Sequence, residues 1–347
     1  MGPTIKDIAK EVGVSHSTVS RALNGDPRIS AATRQKVLEA AERLGYQPNL
    51  SGRGLAHGKV FSIGLVIPDI LEPFFARVVN GVSQVAYRAG FNLILYLTHA
   101  DRRMEMAALQ QIGHGRVDGM IIMARKVGRQ SVLALRRHKV PIVLLIETMP
   151  EAGFDGVRVN NEGGAMQAVN HLLGLGHKRI ACITGPRHAS DARERLRGYR
   201  QAIRAAGVDP DAEGLIFKGN FTEQSGAEAV DRMIQLPPDR RPTAIVAMND
   251  ATALGAMNRL ARHGIVVPDE MAVVGFDDMP FARFVHPGLT TVRQPIEELG
   301  KAAADLLIAR IRGEVKEYRE VVLNTQLIVR ESCGSGRARS HPSEKEC

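Results

Sequence analysis

Two groups of residues in this chain have types and spacings suited to chemistry with a partner. The first lies in residues 13–25, GVSHSTVSRALNG. Val14, Val19, Ala22 and Leu23 fall on one side of a short helix and leave His16, Ser17, Ser20 and Arg21 on the other. A solvated helix face normally carries Lys and Glu. This one carries short hydrogen-bonding groups and one Arg, which suits a surface that fits against a partner. The second group follows apolar, strand-like runs: Asp69 and Phe74-Phe75 after IGLVIP, Glu147 after PIVLLI, Asn249-Asp250 after TAIVAM, and Asp277-Asp278 after AVVGF. In open α/β sheets, ligands bind beyond the carboxyl ends of strands, so these residues are candidates to hold a polar small molecule.

Chemistry of other kinds finds no support. There is no GxxxxGK[ST], GxSxG or HExxH, and no GxGxxG after a strand; SGRGLAHG has the wrong spacing and context. The expectation is that the chain is not an enzyme. Three cysteines, Cys182, Cys333 and Cys347, form no CxxC pair, so no metal, cofactor or disulfide framework is expected. Cys182 sits in the apolar run RIACITG and the other two in a polar tail, which fits a reducing cytoplasm. The stretch MGPTIKDIAK has no apolar signal core, and no run of about 18 apolar residues predicts a membrane span.

The elements that must position these residues follow from patterning. A chain of 347 residues with 44% hydrophobic content suggests two or three domains with cores, aliphatic ones because Trp is absent. Net charge is +9, and residues 1–59 carry nine Lys/Arg against five Asp/Glu, which favours a polyanionic partner for that segment. Residues 1–49 predict three helices. Thr4 can cap the first, where Ile5, Ile8, Ala9 and Val12 repeat at helical spacing; Ser15 can cap the second, which Asn24-Gly25 ends; Ser30 can cap the third, with Val37, Ala41 and Leu44 on one side. The short turn through Gly13-Val14 gives helix-turn-helix spacing. Residues 48–59, PNLSGRGLAHGK, predict a linker. From residue 60 two series of solidly apolar runs alternate with helical stretches, which implies parallel sheets buried on both faces in two similar lobes.

With both ends in view, the chain resembles the LacI/GalR family of bacterial transcription repressors, from about Thr4 to Arg330. The resemblance rests on TIKDIAKEVGVSHSTVSRALN, ISAATRQKV, LGYQPN, LGHKRIACITGP, RLRGY, PTAIVAMNDATALGAM, VPDEMAVVGFDD and LTTVRQP. It implies an N-terminal all-α helix-turn-helix domain plus an α/β two-lobed, periplasmic-binding-protein-like domain with parallel sheets. The expected division is 1–49 for DNA binding, 50–60 for a hinge, and 61–330 for effector binding and dimerisation. Within the last, lobe one spans about 61–160 and 291–320, and lobe two about 161–290 and 321–330. Residues 331–347 are expected to be a disordered tail.

The resemblance assigns roles residue by residue. His16, Ser17 and Arg21 match base-reading positions, with Arg able to donate two hydrogen bonds to guanine. Ser20 shares that face; Thr4, Ser15 and Asn24 lie at the helix ends; Ser30 and Thr33 suit phosphate contacts. Asn49 and Leu55 match the hinge, Leu55 as the wedge that kinks the duplex, although Gly52 and Gly54 weaken a helix there. Phe74, Phe75, Arg195, Phe221, Asn249 and Asp277 match effector-contacting positions. Glu147 stands one step beyond Ile146, where relatives often carry Asp. The implied function is a cytoplasmic, dimeric repressor of carbohydrate uptake or catabolism genes. It would bind a near-palindromic double-stranded operator under control of a sugar-like effector. The alternative is a co-repressor-type response to a purine or nucleoside. Two other readings are weaker. An enzyme with a DNA-binding head lacks any catalytic motif, and a periplasmic sugar-binding protein does not explain residues 1–49.

Overall fold

The computed structural model describes residues 3–23, 25–46, 60–123, 129–138, 140–149 and 152–335. The chain divides into two compact units, Met1–Phe61 and Ser62–Cys347. Asn24, Asn49, Leu55, and the hinge as far as residue 59, lie outside the described residues.

The first unit holds α1 (Ile5–Val12), α2 (His16–Leu23) and α3 (Ala31–Arg43). Local chemistry sets each start. The Asp7 carboxylate accepts from both the amide and the hydroxyl of Thr4 at 2.7 Å, and these bonds hold its pKa below the usual carboxylate range. Ser15 Oγ accepts from the Thr18 amide at 3.1 Å, and Ser30 Oγ from the Thr33 amide at 3.2 Å. Gly13, at φ 71°, closes α1 in the left-handed conformation that glycine adopts without strain. Ile8, Ala9, Val19, Ala22, Val37, Ala40 and Ala41 form the core of this unit.

The second unit carries two six-stranded sheets. The first lobe contains β1 (Ser62–Ile67), α4 (Pro73–Ala89), β2 (Asn92–Leu97), α5 (Arg102–Gln110), β3 (Gly119–Ile122), α6 (Arg129–Ala134), β4 (Ile142–Leu145) and β5 (Asp155–Val159). The second contains α7 (Asn161–Gly174), β6 (Ile180–Ile183), α8 (Ser190–Ala205), β7 (Ile216–Phe217), α9 (Glu223–Ile234), β8 (Ala244–Ala247), α10 (Asp250–Arg262), β9 (Ala272–Asp277) and β10 (Thr290–Arg293). The chain then supplies α11 (Ile296–Arg312), β11 (Glu320–Leu323) and β12 (Gln326–Ile328). Sheet order is β11-β5-β4-β3-β1-β2 in one lobe and β12-β10-β9-β8-β6-β7 in the other. All pairings are parallel except β10 with β12. The central strands are buried throughout, as their unbroken apolar runs require. Helices α4 and α11 approach closely because Gly81 and Gly300 face each other's backbone. A Cβ at either would overlap a carbonyl oxygen of the other helix.

Three expectations are corrected here. Strand β10 belongs to the second sheet and β11 to the first, so the late crossings fall near 294–295 and 324–325 rather than at 290 and 320. Apolar content alone cannot say which sheet a strand joins. The run VVLNTQLIVR divides at Asn324-Thr325 into β11 and β12, one strand for each lobe. Residues 331–335 of the expected tail are ordered. Ser332 is fully buried, donating to the Val273 carbonyl at 2.6 Å and accepting from the Thr290 amide at 2.8 Å. Buried Cys333 accepts from the Thr290 hydroxyl at 3.1 Å and lies 3.2 Å from His171 Nε2.

Candidate functional site

In the first unit, the turn at Gly13 and the burial of Val19 and Ala22 fix which side of α2 looks outward. His16, Ser17 and Arg21 are exposed and Ser20 is half-buried. Ser15 Oγ lies 2.8 Å from both Ser17 Oγ and Thr18 Oγ1, so the cap also orients the Ser17 hydroxyl. The Arg21 guanidinium makes no hydrogen bond or ion pair among the described residues. Asp26, by contrast, is clamped by Arg28 through side-chain bonds of 2.7 and 3.0 Å, and these bonds pull its pKa far down. At the start of α3, the Ser30 hydroxyl donates to Thr33 Oγ1 at 2.9 Å. The face therefore offers one free guanidinium, an imidazole, oriented hydroxyls and a helix N-terminus. That inventory suits base edges and phosphates.

In the second unit, a cavity of about 510 Å³ is lined from both lobes. Phe74 enters at the start of α4, placed by Pro73 in the first turn. Asp277 ends β9, Gln294 follows β10, Asn249 caps α10, and Arg195 comes from α8. Arg195 is 3% exposed and held on every side. Its Nε donates to Asn161 Oδ1 at 2.9 Å and Nη1 to the Met248 carbonyl. Nη1 lies 3.6 Å from Asp277 Oδ1, and Nη2 lies 4.0 Å from Asp191 Oδ2. The guanidinium stacks 3.8 Å from the Phe276 ring centroid, with Phe221 at 5.7 Å. Gln294 Nε2 donates to Asp277 Oδ1. Two non-glycine residues of the lining sit at positive φ, Phe221 at 71° and Asp277 at 124°. Such backbone costs ~1–3 kcal/mol each and persists where packing enforces it, often at functional sites.

Of the seven residues expected here, Phe74, Arg195, Phe221, Asn249 and Asp277 line the cavity. Phe75 does not. It is 1% exposed in the first lobe's core, edge-on to Phe74 at 5.4 Å, and buttresses its neighbour. Glu147 does not either. β4 ends at Leu145, Ile146 turns at φ 72°, and Glu147 is exposed outside the lining. Asn249 is already engaged, its Oδ1 accepting from the Thr252 amide at 3.0 Å and its Nδ2 donating to the Phe221 carbonyl at 2.9 Å.

The other acids at strand ends are internal fittings. Asp69 accepts from the Leu71 amide at 3.0 Å. Asp250 is fully buried, accepting from the Met279 amide and the Thr291 hydroxyl. Burial and the nearby Asp277 charge push its pKa well up. Burial also pushes Asp278 up, but hydrogen bonds from Arg330 and Arg293 outweigh it and hold that carboxyl low.

Gln294, Asp191 and Met279 are lining residues that sequence reasoning missed. Gln294 carried a readable signal, since it directly follows a strand, and Asp191 stands one helical turn before Arg195. The charge balance is informative: the lining holds Arg195 and four acids, Glu72, Asp191, Glu223 and Asp277. The cavity therefore disfavours anions and suits a neutral polar ligand with an apolar face.

Residues 4–49 match the family of bacterial regulatory proteins, lacI family, and residues 169–333 match the periplasmic binding protein-like domain. The chain is 34% identical over 335 residues to the HTH-type transcriptional repressor CytR of Escherichia coli K12, covering 96% of each. It is similar to a transcriptional regulator CelR–cellobiose complex, with 34% identity, TM-score 0.71, and 95% and 99% of the two chains covered. It is also similar to the Lac repressor dimer bound to operator and the anti-inducer ONPF, with 27% identity, TM-score 0.85, and coverage of 96% and 99%. No helix among the described residues is long and apolar enough to cross a membrane.

Proposed function

This chain belongs to the LacI family of bacterial regulatory proteins, DNA-binding transcriptional repressors that are not enzymes and that carry a ligand-binding domain, and we propose that its effector is an uncharged sugar or sugar derivative. The observation that carries the reading is the Arg195–Asp277–Gln294 constellation facing Phe74 across the 510 Å³ cavity. Paired donors and acceptors match vicinal hydroxyls, an aromatic ring covers a sugar's apolar face, and the excess of carboxylates rejects phosphorylated sugars. The relative solved with cellobiose supports this class.

His16, Ser17 and Arg21 read base edges, while Thr4, Ser15, Ser30 and Thr33 set the caps and phosphate contacts. Two copies of this face in a homodimer read a near-palindromic operator, because two half-sites need two reading heads. The effector, by favouring one relative orientation of the lobes, shifts operator affinity, and operator shifts effector affinity by the same factor. The regulated genes are those of carbohydrate uptake or breakdown, and the protein acts in the cytoplasm.

A second reading, a purine or nucleoside effector, is favoured by the phenylalanines in the lining, Phe74, Phe221 and Phe281, since rings also stack on a base. Calorimetric titration of the full chain with uncharged mono- and disaccharides, nucleosides and free purines separates the two. The proposal expects saccharide binding that Asp277→Asn abolishes. Purine or nucleoside binding with no saccharide response overturns it.

A further inference from the structure

A second cavity of about 450 Å³ lies wholly within the second lobe, and its chemistry is the reverse of the first. Four cations surround it: Arg187 from the β6–α8 loop, Arg193 and Arg200 from α8, and Lys218 just past β7. The one carboxylate in the lining is Asp211, whose oxygens take Arg200 at 2.6 and 3.0 Å and Arg204 at 3.0 Å. That acid is therefore already neutralised by groups of its own. Arg193 Nη1 donates to the carbonyls of His188 at 2.7 Å and Arg187 at 3.3 Å, which fixes the loop, and among the described residues the guanidinium has no ion-pair partner. The side chains of Arg187 and Lys218 are exposed and make no hydrogen bond or ion pair among the described residues.

Three cations gathered on one concave surface, without carboxylate partners among the described residues, give it a positive potential that draws anions. Leu196, Ile216, Pro186 and Pro210 form an apolar part of the wall that offers contact to a ring or chain. Helix α8 ties the two cavities together. Arg195 and Asp191 point into the first, while Arg193, Leu196 and Arg200 lie about half a turn around the helix and face the second.

We propose that this cavity is a second ligand site, for a small phosphorylated metabolite. The phosphoryl group is held between Arg187, Arg193 and Lys218, and the organic part lies against Leu196 and Ile216. Guanidinium and ammonium groups suit a phosphoryl group as fork and point charge respectively. The proposal goes beyond the sugar effector of the first cavity and does not depend on it.

The test is calorimetric titration of the full chain, without DNA or sugar, with inorganic pyrophosphate and with ribose 5-phosphate at low ionic strength. The expected result is saturable binding of one ligand per chain that weakens as salt is added. The double variant Arg187→Ala/Lys218→Ala, whose melting should match wild type, should bind about tenfold more weakly or worse. Asp277→Asn should bind as wild type does, which separates this site from the first. The ratio of the two probes reports what the apolar wall contributes. Failure of both probes to bind, or equal binding by the double variant, overturns the proposal whatever the fate of the sugar effector.

Discussion

Two arginines show how differently the two units prepare for their partners. Arg21 stands exposed on a short helix, with no hydrogen bond or ion pair among the described residues. Arg195 is buried, stacked on Phe276, bonded to Asn161 and Met248, and flanked by Asp191 and Asp277. In the role proposed for it, the first keeps its donors for a partner that arrives with its own acceptors and negative charge. The second spends donors on Asn161 and Met248 inside the protein, so that its position and the Asp277 carboxylate beside it are set before any ligand enters. Reading a polymer by surface fit and sensing a small molecule in a cavity thus call for opposite treatment of one side chain. The consequence is measurable: Arg21 should matter for binding and hardly at all for folding, and Arg195 for both.

The largest effect is expected at Arg195. Arg195→Ala removes the guanidinium that flanks the buried carboxylates of Asp277 and Asp191, at a cost of about 3–5 kcal/mol. Urea unfolding should show that loss, and effector binding should vanish with it. A stability change under ~0.5 kcal/mol would break the contrast. Arg21→Ala comes next. A bidentate base contact contributes ~1–3 kcal/mol of discrimination, so operator affinity should fall by about one to two orders of magnitude while the melting temperature stays put. A shifted melting curve with unchanged operator binding would reverse the assignment.

A third partnered group sharpens the point, because it faces no ligand at all. Burial raises the Cys333 thiol, but hydrogen bonds with His171, Ser335 and Thr290 outweigh that and bring it from its ordinary value near 9 to about 7. A depressed folded-state value means the native protein favours the thiolate. Stability from this group is therefore full above pH ~9, falls away toward pH ~7 and is absent below it, on the order of 2 kcal/mol. The difference in unfolding free energy between wild type and Cys333→Ser should grow across that interval, and a flat difference would contradict the pairing. The smallest effect is at Glu147, exposed and outside the lining. Glu147→Gln should change neither stability by more than ~0.5 kcal/mol nor effector affinity, as calorimetry on the variant would check.

Much of this was legible in the chain. The caps at Thr4, Ser15 and Ser30, the stop at Gly13 and the outward face of α2 follow from local rules that tertiary structure did not override. The strand-end rule also found Asp277 and Asn249. It failed where a single backbone dihedral decides the outcome, as at Ile146, whose left-handed turn leaves Glu147 outside the lining. It failed again at Phe74-Phe75, because consecutive helical residues point about 100° apart and only one can face the cavity. Gln294 was missed because Thr290–Arg293, short and mostly polar, does not read as an apolar run, so the rule had no strand end to start from there. Ser332 and Cys333 were lost in a polar, glycine-containing stretch whose composition hides their long-range bonds to Thr290 and Val273.

The central claim is that a free guanidinium on α2 reads DNA while a preorganised cavity elsewhere in the same chain controls it. The most direct measurement is fluorescence anisotropy of a duplex selected from a random pool by the full chain, titrated with and without the saccharide that calorimetry identifies. The account predicts that scrambled duplex binds at least about a thousandfold more weakly, that the saccharide shifts affinity for the selected duplex, and that Asp277→Asn removes the shift but not the binding. Equal affinity for selected and scrambled duplexes, or a saccharide shift that survives in Asp277→Asn, would contradict it.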